Sequence, residues 1–303
     1  MNRSLDHLPD SKRRELDLIL EILFRAFEAA TQNRAAHKRG RILKVILFGS
    51  YARGDWVDDP VGGYRSDYDL LVVVDNEALT ETADYWLDAE EHLQRVYEIT
   101  HDLTAPAHFI VHALADVNRQ LSKGRPFFTD IVRDGVSLYE AGDHPFARPA
   151  KLSPKEAYDE AKTNYDRWFP SAVQFRETGN DHLARGEAWF NKGAFELHQA
   201  TERFYHCALL TMTLYSTKSH NLNFLRAQAE RVAPELIPAW PRGARFEKRT
   251  WELLRRAYVE ARFSSEYAIS AEELAWLADR VRDLQARVER AAQAYLASIA
   301  PKA

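Results

Sequence analysis

Between Ile42 and Ala113 the sequence sets out three short apolar runs separated by helical periodicity, whereas from Ser153 onward it offers no strand-like run at all. One layered core does not accommodate such a change of period, so the 303 residues read as two domains, α+β overall, with alternating helices and strands first and an all-α half second. The boundary falls in residues 141–150, which carry two prolines and a glycine without periodicity; it divides the chain into 1–147 and 148–303.

In the first domain, Leu16, Leu20, Leu23, Phe24 and Phe27 recur at three- and four-residue steps and predict a helix over 12–36. Residues 42–48 are short, β-branched and closed by Gly49, which predicts a buried strand, and a helix is expected from Ser50. Residues 55–65 read as a Gly-, Pro- and Asp-rich loop, 68–74 as a second strand ended by Asp75-Asn76, 81–97 as a helix and 107–113 as a third strand, with Asp116 as a cap. The domain should end near Tyr139. In the second, helices are expected over 154–178, 186–215, 222–231, 247–263 and 271–299, with Ser153-Pro154 and Ser270 marking starts.

Composition narrows the function classes. Hydrophobic residues make up 46% and charged residues 28%, an ordinary globular balance, and no apolar run approaches a membrane span, so a cytoplasmic protein without a membrane partner is expected. A net charge of -4 supplies no overall basic field; a local patch can still engage nucleic acid, but nothing calls for one. The single cysteine, Cys207, excludes an internal disulfide and a cysteine-rich metal site, and its apolar neighbours predict a buried thiol.

The chemistry-bearing stretch is Phe48-Gly49-Ser50-Tyr51-Ala52-Arg53-Gly54-Asp55, followed by Ser66-Asp67-Tyr68-Asp69-Leu70-Leu71-Val72. A strand ending in Gly-Ser and turning into a helix lets the backbone approach a phosphate. Asp67 and Asp69, two apart, leave the same face of a strand about 7 Å apart, as two hard oxygen ligands for magnesium should. These strings resemble the minimal nucleotidyltransferase (MNT) family, which is polymerase-β-like, and the resemblance implies a mixed sheet with helices in the first domain. The resemblance implies that Gly49, Ser50, Arg53 and Ser66 bind ATP or another nucleoside triphosphate, and that Asp67 and Asp69 hold catalytic Mg2+. The family's third carboxylate is expected on the next strand, where this sequence has His108; Glu98 and Asp102 precede it.

In the second domain His198, Glu202 and His206 recur at four-residue steps on one helix stripe. With Lys218-Ser219-His220-Asn221-Leu222 and 257–263 they resemble a HEPN domain, implying a helical bundle and a homodimer. Arg176 and His182 have the spacing of the HEPN RNase signature but fall beside Gly179-Asn180-Asp181, where a helix end is expected, so a non-RNase domain is predicted. His198, Glu202, His206, His220 and Arg262 are the candidates for lining a nucleotide or acceptor site. The function expected is transfer of a nucleoside monophosphate, most simply AMP, to a hydroxyl of a protein or small molecule. The alternatives are a fused toxin-antitoxin-like module and a nucleotide-binding protein of weak activity.

Overall fold

Every residue of the strand Ile42–Phe48 is buried, which requires both faces of that strand to be covered and a neighbour on each side. The computed structural model, which describes residues 2–32, 40–59, 64–217 and 219–301, supplies them. The first unit, Met1–Lys151, runs α1 (Asp10–Thr31), β1 (Ile42–Phe48), α2 (Ser50–Arg53), β2 (Asp58–Asp59), β3 (Tyr64–Arg65), β4 (Tyr68–Val74), α3 (Thr82–Tyr85), α4 (Leu87–Glu98), β5 (Ala107–Ala113), α5 (Leu114–Ser122), α6 (Pro126–Asp134) and β6 (Val136–Glu140). The sheet order is β5-β4-β1-β6, with β1 antiparallel to β4 and β6, and β4 parallel to β5. Central β1 and β4 are wholly buried and the flanking strands only in part.

Strand parity assigns the two faces. Val45, Leu47, Leu70, Val72 and Val74 join Leu16, Ile19, Leu23 and Leu93 of α1 and α4 in one apolar cluster. Ile46, Leu71 and Ile110 point the other way, where the buried Val117, Leu121, Phe128 and Ile131 of α5 and α6 lie. The one buried charge in β1, Lys44, pairs with Glu140 on β6 and lies over the Phe146 ring.

The expected strands at 42–48, 68–74 and 107–113 have those bounds. Four local readings change. The helix expected over 81–97 is interrupted at Trp86, whose ring stacks on Phe27 and whose Nε1 donates to the Leu79 carbonyl. Asp116 lies inside α5 instead of capping it, and accepts from His112 at 2.7 Å. The loop over 55–65 contains the short β2-β3 pair, its residues 60–63 being outside the described residues, as is 33–36 of the first expected helix. Helix α6 and strand β6 were not anticipated.

The second unit, Leu152–Ala303, is helical: α7 (Pro154–Ala184), α8 (Phe190–Thr213), α9 (Leu222–Val232), α10 (Arg245–Phe263) and α11 (Ala271–Ile299). Capping boxes at Ser153 with Glu156 and at Ser270 with Glu273 start α7 and α11. Helix α8 is the core element, burying Ala194, Leu197, Ala200, Phe204, Tyr205, Cys207 and Ala208 among its neighbours. Burial pushes the Cys207 thiol up to about 12, the inert state expected of it. No described helix is long and apolar enough to cross a membrane.

The expected break near Gly179 does not occur; α7 runs through it to Ala184. Gly179 is there because α8 comes too close for a side chain: a Cβ would stand 2.8 Å from Leu197 Cδ2, 2.9 Å from its Cγ and 3.4 Å from the Gly193 carbonyl oxygen. Gly179→Ala should therefore destabilise the protein by about 1–3 kcal/mol despite alanine's better helix propensity. A melting temperature equal to or above that of the parent would show that Leu197 yields freely.

Candidate functional site

The end of β1 sets up the first site. Gly49 has φ 78° and ψ -151°, a conformation that favours glycine, and it turns the chain from strand into the single turn of α2. Gly54, at φ 82°, closes that turn, its amide and that of Asp55 donating to the Ser50 carbonyl. The helix expected from Ser50 is thus four residues long.

Because β1 and β4 are antiparallel, the end of β1 meets the start of β4; because β4 and β5 are parallel, the start of β5 arrives there too. Phe48 registers with Asp69, and Asp69 with His108, forming one row across three strands. Asp69 is 5% exposed. Asp67, just ahead of β4, shares its parity and lies 3.6 Å from His108 Nε2 through Oδ2. Glu98 and Asp102 are exposed and engaged locally, with Gln94 and with Thr100. Among the described residues no three His, Cys, Asp or Glu side chains assemble to hold a metal by themselves. Two carboxylates on one face, one of them buried, nevertheless suit a magnesium ion whose other ligands come from a triphosphate.

The other predicted residues support this corner. Ser66 Oγ accepts from the Val57 amide at 2.9 Å while its own amide donates to the Val57 carbonyl, anchoring the β2-β3 segment ahead of Asp67. Arg53 spans Asp55 with two 3.1 Å hydrogen bonds.

Behind them lies a network that the sequence reading missed. Tyr51 stacks between Trp56 and Tyr68, and Lys12 Nζ lies 5.6–5.7 Å from the centroids of all three rings. Glu15, 3.6 Å from Lys12, accepts from the Tyr68 hydroxyl and from the amide and hydroxyl of Thr104. Burial, then the Glu15 charge, push the Tyr68 phenol far up, so it stays a neutral donor. The signal was present: Lys12 and Glu15 fall on the same stripe of α1 as Leu16, Ile19 and Leu23, where a charge is unexpected.

In the helical unit Glu202 is surrounded by three imidazoles, with His220 Nδ1 at 3.0 Å, His198 Nε2 at 3.6 Å and His206 Nε2 at 3.9 Å. His198 directs Nδ1 to the Leu254 carbonyl and His206 directs Nδ1 to Ser216 Oγ. His220 lies flat on Tyr258, centroids 4.4 Å apart, and Arg262 is 4.6 Å from that same ring centroid. All five candidates thus gather around Glu202 and Tyr258; Lys218 lies outside the described residues. Arg176 and His182 are both within α7.

Burial opposes ionisation of Glu202, but the His198 and His220 rings and the charges of His220 and His206 outweigh it and hold the carboxyl at about 2. Burial lowers His206 to about 4, and the Glu202 hydrogen bond raises His220. These directions give a stability prediction. Below 6.5 an unfolded His206 takes a proton that the folded one refuses until about 4, so stability falls as pH drops through that window. The contribution of His220 is already complete below 6.5, and that of Glu202 is lost only below 4.5. Urea unfolding of the helical unit at pH 6.5 and pH 4 should differ by about 2–3 kcal/mol from His206, a dependence flattened in His206→Phe. An equally steep dependence in that variant would assign the effect elsewhere.

Comparison with known proteins bears on the first unit. Residues 32–142 match the family model described as Polymerase beta, Nucleotidyltransferase. A Methanocaldococcus jannaschii protein, provisionally named a protein adenylyltransferase, is 57% identical over 103 residues, covering 33% of this chain and 82% of that relative.

Proposed function

The chain belongs to the polymerase β nucleotidyltransferase family, and from that premise we propose that it transfers AMP from ATP to a hydroxyl group, on a protein rather than a small molecule. The observation that carries the reading is the row of Phe48, Asp69 and His108 beside the Gly49-Ser50 turn, with Asp67 alongside. The choice of AMP and of a protein acceptor follows the name of the archaeal relative.

In this reading Gly49 and Ser50 receive the triphosphate, the glycine because its lack of a side chain lets phosphate oxygens approach the backbone. Asp67 and Asp69 hold magnesium, which when bound offsets the charge developing on the departing pyrophosphate. The acceptor hydroxyl oxygen forms a bond to the α-phosphorus as the bond to the pyrophosphate oxygen breaks, and the hydroxyl proton passes to solvent. Ser66 and the aromatic stack fix the segments that carry the aspartates, so catalysis is chiefly positioning and electrostatics. Arg53, held by Asp55, braces the turn and contacts phosphate upon exchanging that partner. The helical unit is a HEPN-like, non-RNase domain that binds acceptor or nucleotide through the Glu202 cluster and supports a homodimer.

One observation favours a second reading, nucleotide binding without turnover: the position on β5 opposite Asp69 is His108, not a carboxylate. Labelled ATP separates the two. With magnesium, label from α-phosphate should appear in protein and label from γ-phosphate should leave as pyrophosphate. Recovery of intact ATP from the protein after prolonged incubation, with no pyrophosphate formed, would leave the second reading standing.

A further inference from the structure

The surface around Arg262 combines features with no structural duty in the helical core. Val259 and Phe263, one turn apart on α10, are 55% and 78% exposed, a pair of large apolar side chains facing water on one helix face. Between them Arg262 rests among three rings, 5.0 Å from Phe195, 4.6 Å from Tyr258 and 4.9 Å from Phe263, measured from its guanidinium carbon to each centroid. Its Nε donates to the Tyr258 carbonyl, which fixes the plane of the fork. It has no carboxylate partner among the described residues, whereas Arg249, Arg256 and Arg282 of α10 and α11 each have one.

His220 stands on the same Tyr258 ring. Its Nδ1 is committed to the buried Glu202, so Nε2 lies on the other edge of a side chain that is 56% exposed. The Glu202 hydrogen bond raises the pKa of His220, and in the protonated ring Nε2 is an oriented N–H donor toward its surroundings. The charges add up in favour of an anion. Glu202 and His220 cancel, His198 and His206 are buried and already directed to Leu254 and Ser216, and Arg262 leaves one positive charge at the surface.

We propose that Arg262 and His220 bind the phosphoryl group of a nucleoside monophosphate, with Val259 and Phe263 as an apolar shelf for its base and sugar. The guanidinium offers paired donors suited to phosphate oxygens, the protonated imidazole offers a further one, and the Tyr258 ring, in contact with both, holds them in place before the ligand arrives. An exposed aromatic beside a cationic fork is the pairing that a flat base joined to a phosphate requires. The choice of ligand rests on the reading of the helical unit as nucleotide-binding; the geometry of the anion site does not depend on transfer in the first unit.

Calorimetric titration of the full chain with AMP, inorganic phosphate and adenosine, all in EDTA, tests this. AMP should bind most tightly, inorganic phosphate should compete with it, and adenosine should bind least. Arg262→Gln and His220→Gln should each weaken AMP binding about tenfold or more, Phe263→Ala should weaken AMP but not phosphate, and Asp67→Asn with Asp69→Asn should leave the AMP affinity as it was. Circular dichroism and the melting temperature establish that each variant is folded, and Arg262→Lys, which keeps the charge without the fork, supplies a milder second case. Undiminished AMP affinity in folded Arg262→Gln, adenosine binding as well as AMP, binding lost with the aspartates instead, or RNA binding without AMP binding would each overturn the assignment. Loss of label transfer in the first unit with Arg262-dependent AMP binding intact would refute the transfer reading alone.

Discussion

Asp67→Asn combined with Asp69→Asn is expected to reduce magnesium-dependent transfer of label from ATP by about a thousandfold or more, with no fall in melting temperature. Asparagine keeps the shape of each side chain and removes the charge that a divalent ion requires. The stability expectation has its own cause. Asp69 is buried in the row between Phe48 and His108, and asparagine matches aspartate in size and shape, so the packing of that row is kept. Transfer undiminished in the double variant would dismiss the aspartates as the metal-binding pair. A drop in melting temperature of more than about 5 °C would mean that activity was lost through unfolding, and the single variants would then decide.

Glu15→Ala should cost about 3–5 kcal/mol, the largest stability effect expected of any single substitution in the first unit. Its carboxylate is the partner of Lys12, whose side chain is 7% exposed, and the acceptor for Tyr68 and for both donors of Thr104. Removing it leaves an ammonium enclosed by Tyr51, Trp56 and Tyr68, and takes one acceptor from three donors at once. Replacing both charges, Lys12→Met with Glu15→Leu, should recover only the part of that loss owed to the unpaired ammonium, because the Tyr68 and Thr104 donors still lack the Glu15 acceptor. Urea denaturation of the single and double variants provides the measurement. A loss below about 1 kcal/mol for Glu15→Ala would mean that solvent enters and screens the site.

Strands and site were legible in the sequence to different depths. Residues 42–48 and 68–74 are runs apolar but for Lys44 and Asp69, ended by Gly49 and by Asp75-Asn76, so local pattern alone set their limits. Strand β6 is Val-Ser-Leu-Tyr-Glu, half polar because it lies at an edge, and no periodicity separates it from a loop. Trp86 breaks a helix that propensity would continue, and Gly179 continues one that propensity would break; in both cases the deciding contact, with Phe27 and Leu197 respectively, comes from a distant segment. The four-residue spacing of His198, Glu202 and His206 foretold one stripe on α8. That His220 would reach Glu202, and that Tyr258 would unite it with Arg262, depended on packing between helices.

The corner at Phe48, Asp69 and His108 is joined by contacts about twenty and about forty residues apart in the chain, since strands paired across such separations form only after the intervening loops close. No single segment therefore carries a rudimentary version of it. A nascent or truncated chain that stops before Ala107 contains the glycine turn and both aspartates, yet lacks the neighbour against which the second strand is seated. On the proposed reading, ligand capture at that corner would serve as a proofreading signal, reporting on whether the whole sheet has closed.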